Sequence, residues 1–518
     1  MARPRSRFVW WALASAGVAA VLLLVATAVA AWLLQPATLK ARAEERLSTA
    51  LHLDAHIGSL AVAYGLGPRV TGSELELRIP NRPELPPFIK IAQFSVDVSP
   101  FAAMRGHISA VSVDGLEMVA PSSGGSTPRS TDDGRAFDRA SMFIVDRIDS
   151  RNGRLTILRA HPKDPPLVFE LHSIRVDRLN LDQPVHFVAS LTNPLPEGVV
   201  DTEGTFGPWP GADVWDLPVN GRYKLSHAKL STIAGIQGDL TSDGQYSGRL
   251  AQIVVTGHTT TPDFNVDLGG RPVPLASTFK ATVDASNGTT RLDQVDATMF
   301  QTALSVQGLV ATLPGPNNHS IDLKVAVTRG RIEDLLTTVI DSPTPVLTGD
   351  VTLRTTLSLP PGPEPVQDRI RLNGQVGLGA AEFSDAEIQR KLEDLSRRGQ
   401  GKPEGEMPEG VMSDLSGTFA LAKGVLTLRG LIFHVPGAKV NLSGTYTLVS
   451  GALDFHGTLT MQATVSQAIG GFRSIFVKPF DPLFKKGGAG AVLPIVISGT
   501  RDHPKFGLEV GKVIKSGH

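Results

Sequence analysis

Cysteine is absent from the 518 residues, which excludes disulfide staples, thiol nucleophiles and cysteine-ligated metals together. Charge is sparse and balanced: Lys plus Arg and Asp plus Glu each number 50, and charged residues make up 19% of the chain. No basic stripe stands ready for a phosphate backbone, so no nucleic-acid partner is expected. Aromatics are only 6%, and the Glu, Lys and Ala blocks that build long helices are missing. Catalytic signatures are missing as well. There is no GxSxG elbow and no GxxxxGK[ST] loop, and GLGAAE at 377–382 lacks the dinucleotide fingerprint. His52 and His56 stand four apart without a carboxylate motif of the HExxH kind and read as solvated helix residues, while His434 and His456 fall on polar strand positions. The expectation is a protein that is not an enzyme, with no catalytic residue, no metal and no cofactor.

What the chain does have is glycine and proline, 52 and 37 of them, and one long apolar run. Residues 8–34 carry no charge, and about 20 apolar residues suffice to cross a bilayer as a helix. The rival, a cleaved signal peptide ending near Ala28-Val29-Ala30, fits less well because the run continues through Trp32 and Leu34. Arg3, Arg5 and Arg7 before the run are matched by Lys40, Arg42 and Arg46 after it, so charge alone leaves the orientation open.

The body reads as β-structure. One phrase recurs: LTGDVTL at 347–353, LNGQVGL at 372–378, LSGTFAL at 415–421 and LSGTYTL at 442–448, with VNGRYKL at 219–225 as a looser copy. Strict alternation puts the apolar side chains and the glycine on one face of a strand and the polar ones on the other. ALDFHGTLTMQATV at 452–465 extends the same pattern over fourteen residues. Two short helices interrupt the strands: LKARAEERLSTAL at 39–51, and DAEIQRKLEDLSRR at 385–398, introduced by a Ser384/Glu387 capping box. A third amphipathic segment places Ile469, Phe472 and Phe476 at helical spacing. The loops at 122–135 and 397–410 are small and polar. The divisions expected are a tip and anchor at 1–35, a β-rich part at 36–210, a middle sheet at 211–370 and a C-terminal region at 371–518.

A sheet with one apolar face must bury that face. Here the faces are long, with little aromatic filler, and glycine recurs on the apolar side at Gly349, Gly374, Gly417 and Gly444. A missing side chain there bends the sheet or admits a close approach. The expected fold is mainly β, with a transmembrane helix followed by a long, curved antiparallel β-sheet groove and a few amphipathic helices. Its candidate lining, and candidate lipid-binding residues, are Leu415, Phe419, Leu421, Leu442, Tyr446, Leu448, Leu453, Phe455, Leu459 and Met461.

The segments 372–398, 415–461 and FVKPFDPLFKKGGAGAVLPIVISGT at 476–500, in that order of strand, helix, strands, aromatic segment and Leu-Pro strand, resemble the C-terminal region of the AsmA-like proteins of the Gram-negative envelope. From about 55 to 300 the likeness is one of strand style. The resemblance implies a single-pass inner-membrane protein with its bulk in the periplasm. Its groove would pass phospholipids toward the outer membrane or support outer-membrane assembly, with phospholipids, the inner membrane and an outer-membrane or periplasmic protein as partners. The alternative is a membrane-tethered, non-enzymatic β-scaffold whose apolar faces pack on one another and whose strand edges bind a partner.

Overall fold

A computed structural model describes residues 39–51, 54–63, 69–78, 87, 89–97, 107–120, 144–157, 166–180, 182–208, 216–233, 235–267, 269–284, 288–312, 319–402, 412–463, 490–500 and 503–508. The expected membrane span at 8–34 and the amphipathic segment around Phe472 lie outside these. Among the described residues no helix is long and apolar enough to cross a membrane.

Alternation of the kind seen in the sequence has only one outlet, a ladder of strands, and 74% of the structure is strand, in one large, curved, open sheet with few helices. Helix α1 (Leu39–Leu51) leads into β1 (Asp54–Ala63), β2 (Arg69–Arg78), β3 (Ile89–Asp97), the two-residue β4 (His107–Ile108) and β5 (Ala110–Ala120). Next come β6 (Ile144–Ile157), β7 (Leu167–Leu179), β8 (Val185–Pro194), β9 (Glu197–Phe206), β10 (Pro218–Lys229) and the short β11 (Ile236–Gln237). The middle holds β12 (Asp239–Arg249), β13 (Gln252–Val266), β14 (Val273–Asp284), β15 (Thr289–Met299), β16 (Thr302–Thr312) and β17 (His319–Arg331). Helix α2 (Ile332–Thr337), β18 (Leu347–Leu359), α3 (Val366–Arg369), β19 (Arg371–Phe383) and α4 (Ala386–Gly399) follow. The chain closes with β20 (Ser413–Ala422), β21 (Val425–Val435), β22 (Ala438–Thr447), β23 (Ala452–Met461), β24 (Ala491–Thr500) and β25 (His503–Leu508).

Apart from the short β4 and β11, every strand pairs with the one before it and the one after it. The pairing is antiparallel throughout except where β6 lies parallel to β4 and β5. The ladder runs without a break across residues 210/211 and 370/371, because β9 pairs β10 and β18 pairs β19. Twenty-odd strands at about 4.8 Å spacing give a contour on the order of 100 Å. The fourteen-residue strand expected at 452–465 is shorter: β23 stops at Met461, where its end meets α4.

Curvature has an identifiable source. Every neighbouring pair from β13 to β22 contains one register shift, and an extra residue in one strand bends it and sharpens its twist. Two of these bulges hold residues in the left-handed region, Ala380 at φ 50° and Gly430 at φ 56°. A third shift, between β10 and β12, holds His227 at φ 52°.

Both ends of the sheet carry a closed core. At the first, Ala43 and Leu47 of α1 pack among Ile57, Leu75, Leu77, Ile89 and Phe94, with Val145, Leu179 and Val185 completing the cluster from β6 to β8. Helix α1 also shields the free edge of β1. Ser48 Oγ accepts the Ala55 N–H at 3.0 Å, Glu44 Oε1 accepts the Ile57 N–H at 2.8 Å, and Lys40 Nζ donates to the Gly58 carbonyl at 3.1 Å. Open backbone donors on a strand edge invite pairing with another chain, and the helix occupies them. His56 belongs to β1, not to a helix, and faces Glu44 at 3.4 Å. The second core, under α4, gathers Val435, Ala438, Met461, Ala463 and Ala491, with Leu395, Phe433, Leu459 and Leu493 against it.

Leu47 is fully buried, so Leu47→Ala is expected to cost about 2–5 kcal/mol and to speed amide hydrogen exchange throughout β1–β3. Leu353, half-buried mid-sheet, should cost far less on the same change. Equal protection losses for the two variants would contradict a closed N-terminal core.

A second expectation concerns acid. Burial alone would raise the Asp149 carboxyl, but hydrogen bonds from Arg175 and Arg147 outweigh it and hold Asp149 below its ordinary value of 3.8. A depressed folded pKa stabilises above the unfolded pKa and is lost as pH falls through the folded one. Stability should therefore drop below about pH 4, and Asp149→Asn should flatten that drop in an acid-unfolding series.

Candidate functional site

Tracing the register from strand to strand gives one residue per strand on a single face. The trace starts within the N-terminal core at Leu60, Gly72, Phe94 and Val113. It continues through Ser150, Ile174, Ala189, Thr202, Tyr223, Gly244 and Gly257. From there it passes Phe279, Val295, Val306, Val325, Thr355 and Gly374 to Phe419, Leu428, Gly444, Phe455 and Ile497. No residue of the trace is charged. Neighbours two positions along each strand continue the same face, and between β12 and β20 they are mostly half-buried, while the intervening polar residues are exposed.

Half-burial is the telling quantity. A second sheet packed about 10 Å away would bury the apolar face outright, as it is buried within the two end cores. Among the described residues no such layer covers β12–β20, and their side chains are sheltered only by their neighbours on the same face. The opposite face is solvated and carries exposed ion pairs, such as Arg222–Glu203 at 2.8 Å and Arg331–Asp350 at 3.1 Å. Arg222 and then His186 hold the Glu203 carboxyl below its usual range.

The recurring glycine acquires a physical meaning in this register. Gly72 pairs with Phe94, Gly204 with Phe187, Gly244 with Tyr223, Gly257 with Phe279, Gly374 with Phe419 and Gly444 with Phe455. Added methyl groups at Gly72 and Gly444 would collide with the rings of Phe94 and Phe455. At Gly72, Gly244 and Gly444 the glycine gives room to the ring opposite it, so the face stays smooth where a large side chain would otherwise stand proud.

The candidate lining residues fall into three groups. Leu415, Phe419, Leu421, Leu442, Tyr446, Leu453 and Phe455 lie on the apolar face, Leu421 and Phe455 of them buried; Phe419 sits opposite Gly374 and Leu428, and Tyr446 opposite Leu426 and Leu453. Leu459 and Met461 share that face, but Met461 is 6% exposed and both pack into the core under α4. Leu448 is outside the strand, in the turn after β22, and is 41% exposed. Sequence alternation could not register the roof that α4 places over one end of β21–β23, because α4 lies two strands and more upstream.

Inside the same face β9–β14 carry hydroxyls that the sequence reading passed over. Tyr223 donates to Ser242 Oγ at 3.0 Å, and Ser242 donates to the His258 carbonyl at 2.9 Å. Tyr246 donates to Thr202 Oγ1 at 2.9 Å, and Thr202 donates to the Arg222 carbonyl at 2.9 Å. Thr259 and Ser277 bond each other at 2.6 Å. Burial pushes both tyrosine hydroxyls up from their ordinary value. The signal was present as Tyr and Thr in apolar register positions, read there as ordinary strand residues.

Among the described residues no group of three or more His, Asp or Glu is placed to hold a metal ion. Comparison with known proteins returns no matching family model, no similar curated protein and no similar solved structure.

Two variants separate open from closed parts of this face. Met461→Asp puts a charge into a dry core and is expected to unfold the α4 end; Phe419→Asp, on the half-buried face of β20, should leave the circular dichroism spectrum largely intact. Equal loss of β-signal in both would mean that the face is packed at Phe419 too.

Proposed function

We propose that this chain is a membrane-tethered, non-enzymatic lipid carrier. Its apolar face forms a groove along which phospholipid acyl chains are held and passed from the inner membrane through the periplasm toward the outer membrane. The observation that supports the reading is the continuous, uncharged row from Thr202 to Ile497, half-buried apart from the buried Phe455, with no second sheet over its middle strands among the described residues. Each methylene withdrawn from water is worth about 0.8 kcal/mol, so an acyl chain leaving a bilayer needs apolar contact at every step. A row that hands each strand's lining residue to the next supplies that contact without a gap.

Three further features support it. The apolar run at 8–34 would tether the chain to a bilayer, the opposite face is polar enough to stay in water, and the resemblance of its C-terminal sequence to AsmA-like proteins would put such a body in the periplasm. Nothing in the row supplies energy, so transfer would follow a gradient or be driven by a partner. Headgroups would ride at the open side, where water remains.

Native mass spectrometry of the full chain, released gently from membranes and followed by lipid extraction, tests the reading. Several phospholipids per chain are expected. A bare chain would overturn the carrier reading in favour of a β-scaffold with protein partners.

A further inference from the structure

The lining of the face changes character along the sheet. Within one position either side of the central row on that face, β9, β10, β12, β13 and β14 carry six hydroxyls, those of Thr202, Tyr223, Ser242, Tyr246, Thr259 and Ser277. The ten strands from β15 to β24 carry two at that level, Thr355 and Tyr446, amid aliphatic residues such as Val306, Val325 and Leu353. On the other side β1–β8 are filled by the N-terminal core. The hydroxyl stretch is therefore where the accessible face begins.

Accounting for protons singles out one pair. Tyr223 and Ser242 spend theirs in a chain that ends on the His258 carbonyl, and Tyr246 and Thr202 in a chain that ends on the Arg222 carbonyl. Thr259 and Ser277 bond only each other, so whichever donates, the other keeps a proton directed to no protein acceptor. They are cross-strand partners on half-buried positions, between Ser242 on one side and Ala297 on the other. A partly dry surface that keeps donors unspent is built for an acceptor that comes with the ligand. The acceptor is neutral, because the apolar face of β9–β14 bears no Lys or Arg to offset a phosphate charge.

We infer that the Thr259–Ser277 hydroxyl pair is a binding position for the ester carbonyl of an acyl lipid. There the polar–apolar junction of an incoming phospholipid halts while its tails extend over the first of the aliphatic strands that follow, from β15 on. This rests on the lipid-carrier reading and adds a substrate class to it: ester-linked lipids are held at the start of the accessible face more tightly than ether-linked ones.

The test uses the full chain in detergent, with phosphatidylcholine and its diether analogue of equal chain length competing for binding, read by native mass spectrometry. The diester should bind roughly three- to tenfold tighter, the worth of one net hydrogen bond. Thr259→Val combined with Ser277→Ala should erase that preference by weakening the diester alone. Either single variant should keep it, since the remaining hydroxyl then has its proton free. Equal binding of both lipids to the unmodified chain overturns the site and leaves the carrier reading standing. A preference that survives in the double variant, with an unchanged circular dichroism spectrum, also overturns it. Binding of neither lipid overturns the carrier reading itself.

Discussion

Antiparallel pairing of each strand with its neighbours in sequence is the constraint on which the rest of this structure depends. Side chains alternate across a strand, so a register fixed at one residue fixes the face of every other residue in that strand and in the next. The chain repeats this over more than twenty strands, and the result is one uncharged line from Leu60 to Ile497. A slip of a single residue anywhere would turn the following strand's lining outward. The bulges from β13 to β22 add extra residues where the strand bends, and the apolar set returns to its face afterwards, as Leu378 does opposite Leu415 before the shift to Ala381 opposite Ser413.

Stability and openness are distributed unevenly as a consequence. A single layer of sheet cannot bury its apolar side, so the ordinary hydrophobic contribution is concentrated at the two ends, under α1 and under α4. Between them the strands rely on their ladders, on glycine–aromatic pairs such as Gly444 with Phe455, and on the buried contact of Thr302 Oγ1 with Asp334 Oδ2 at 2.8 Å where α2 meets the sheet. Helices α1, α2 and α4 all stand at the same end of the strands and brace one rim, and among the described residues no other element covers the middle of the apolar face.

Much of this was legible in the sequence. LNGQVGL, LSGTFAL and LSGTYTL announced strands with an apolar, glycine-bearing face, and residues 39–51 and 385–398 announced their helices, because period-2 and period-3.6 patterns are local properties. What was hidden depends on which strand lies next to which. Leu459 and Met461 alternate as faithfully as Leu415 and Phe419, yet only the former two lie under α4. Leu448 completes the phrase at 442–448 but falls beyond the last paired residue, Thr447. The closed core at β1–β8 and the Thr259–Ser277 pair each need residues from distant strands or an exact cross-strand partner, and no composition or spacing rule reports them.

The central claim is that, among the described residues, the apolar face is covered at its two ends, by the N-terminal core and under α4, and open between them. Because the chain has no cysteine, a single introduced cysteine reports on one place only. Thiol labelling of the full chain should be compared for Leu75→Cys in the core, Val325→Cys and Phe419→Cys on the face, and Lys324→Cys on the opposite side, with and without added phospholipid. The account predicts no labelling at 75, lipid-sensitive labelling at 325 and 419, and lipid-independent labelling at 324. Positions 325 and 419 as unreactive as 75 would contradict it and mean that the face is packed shut.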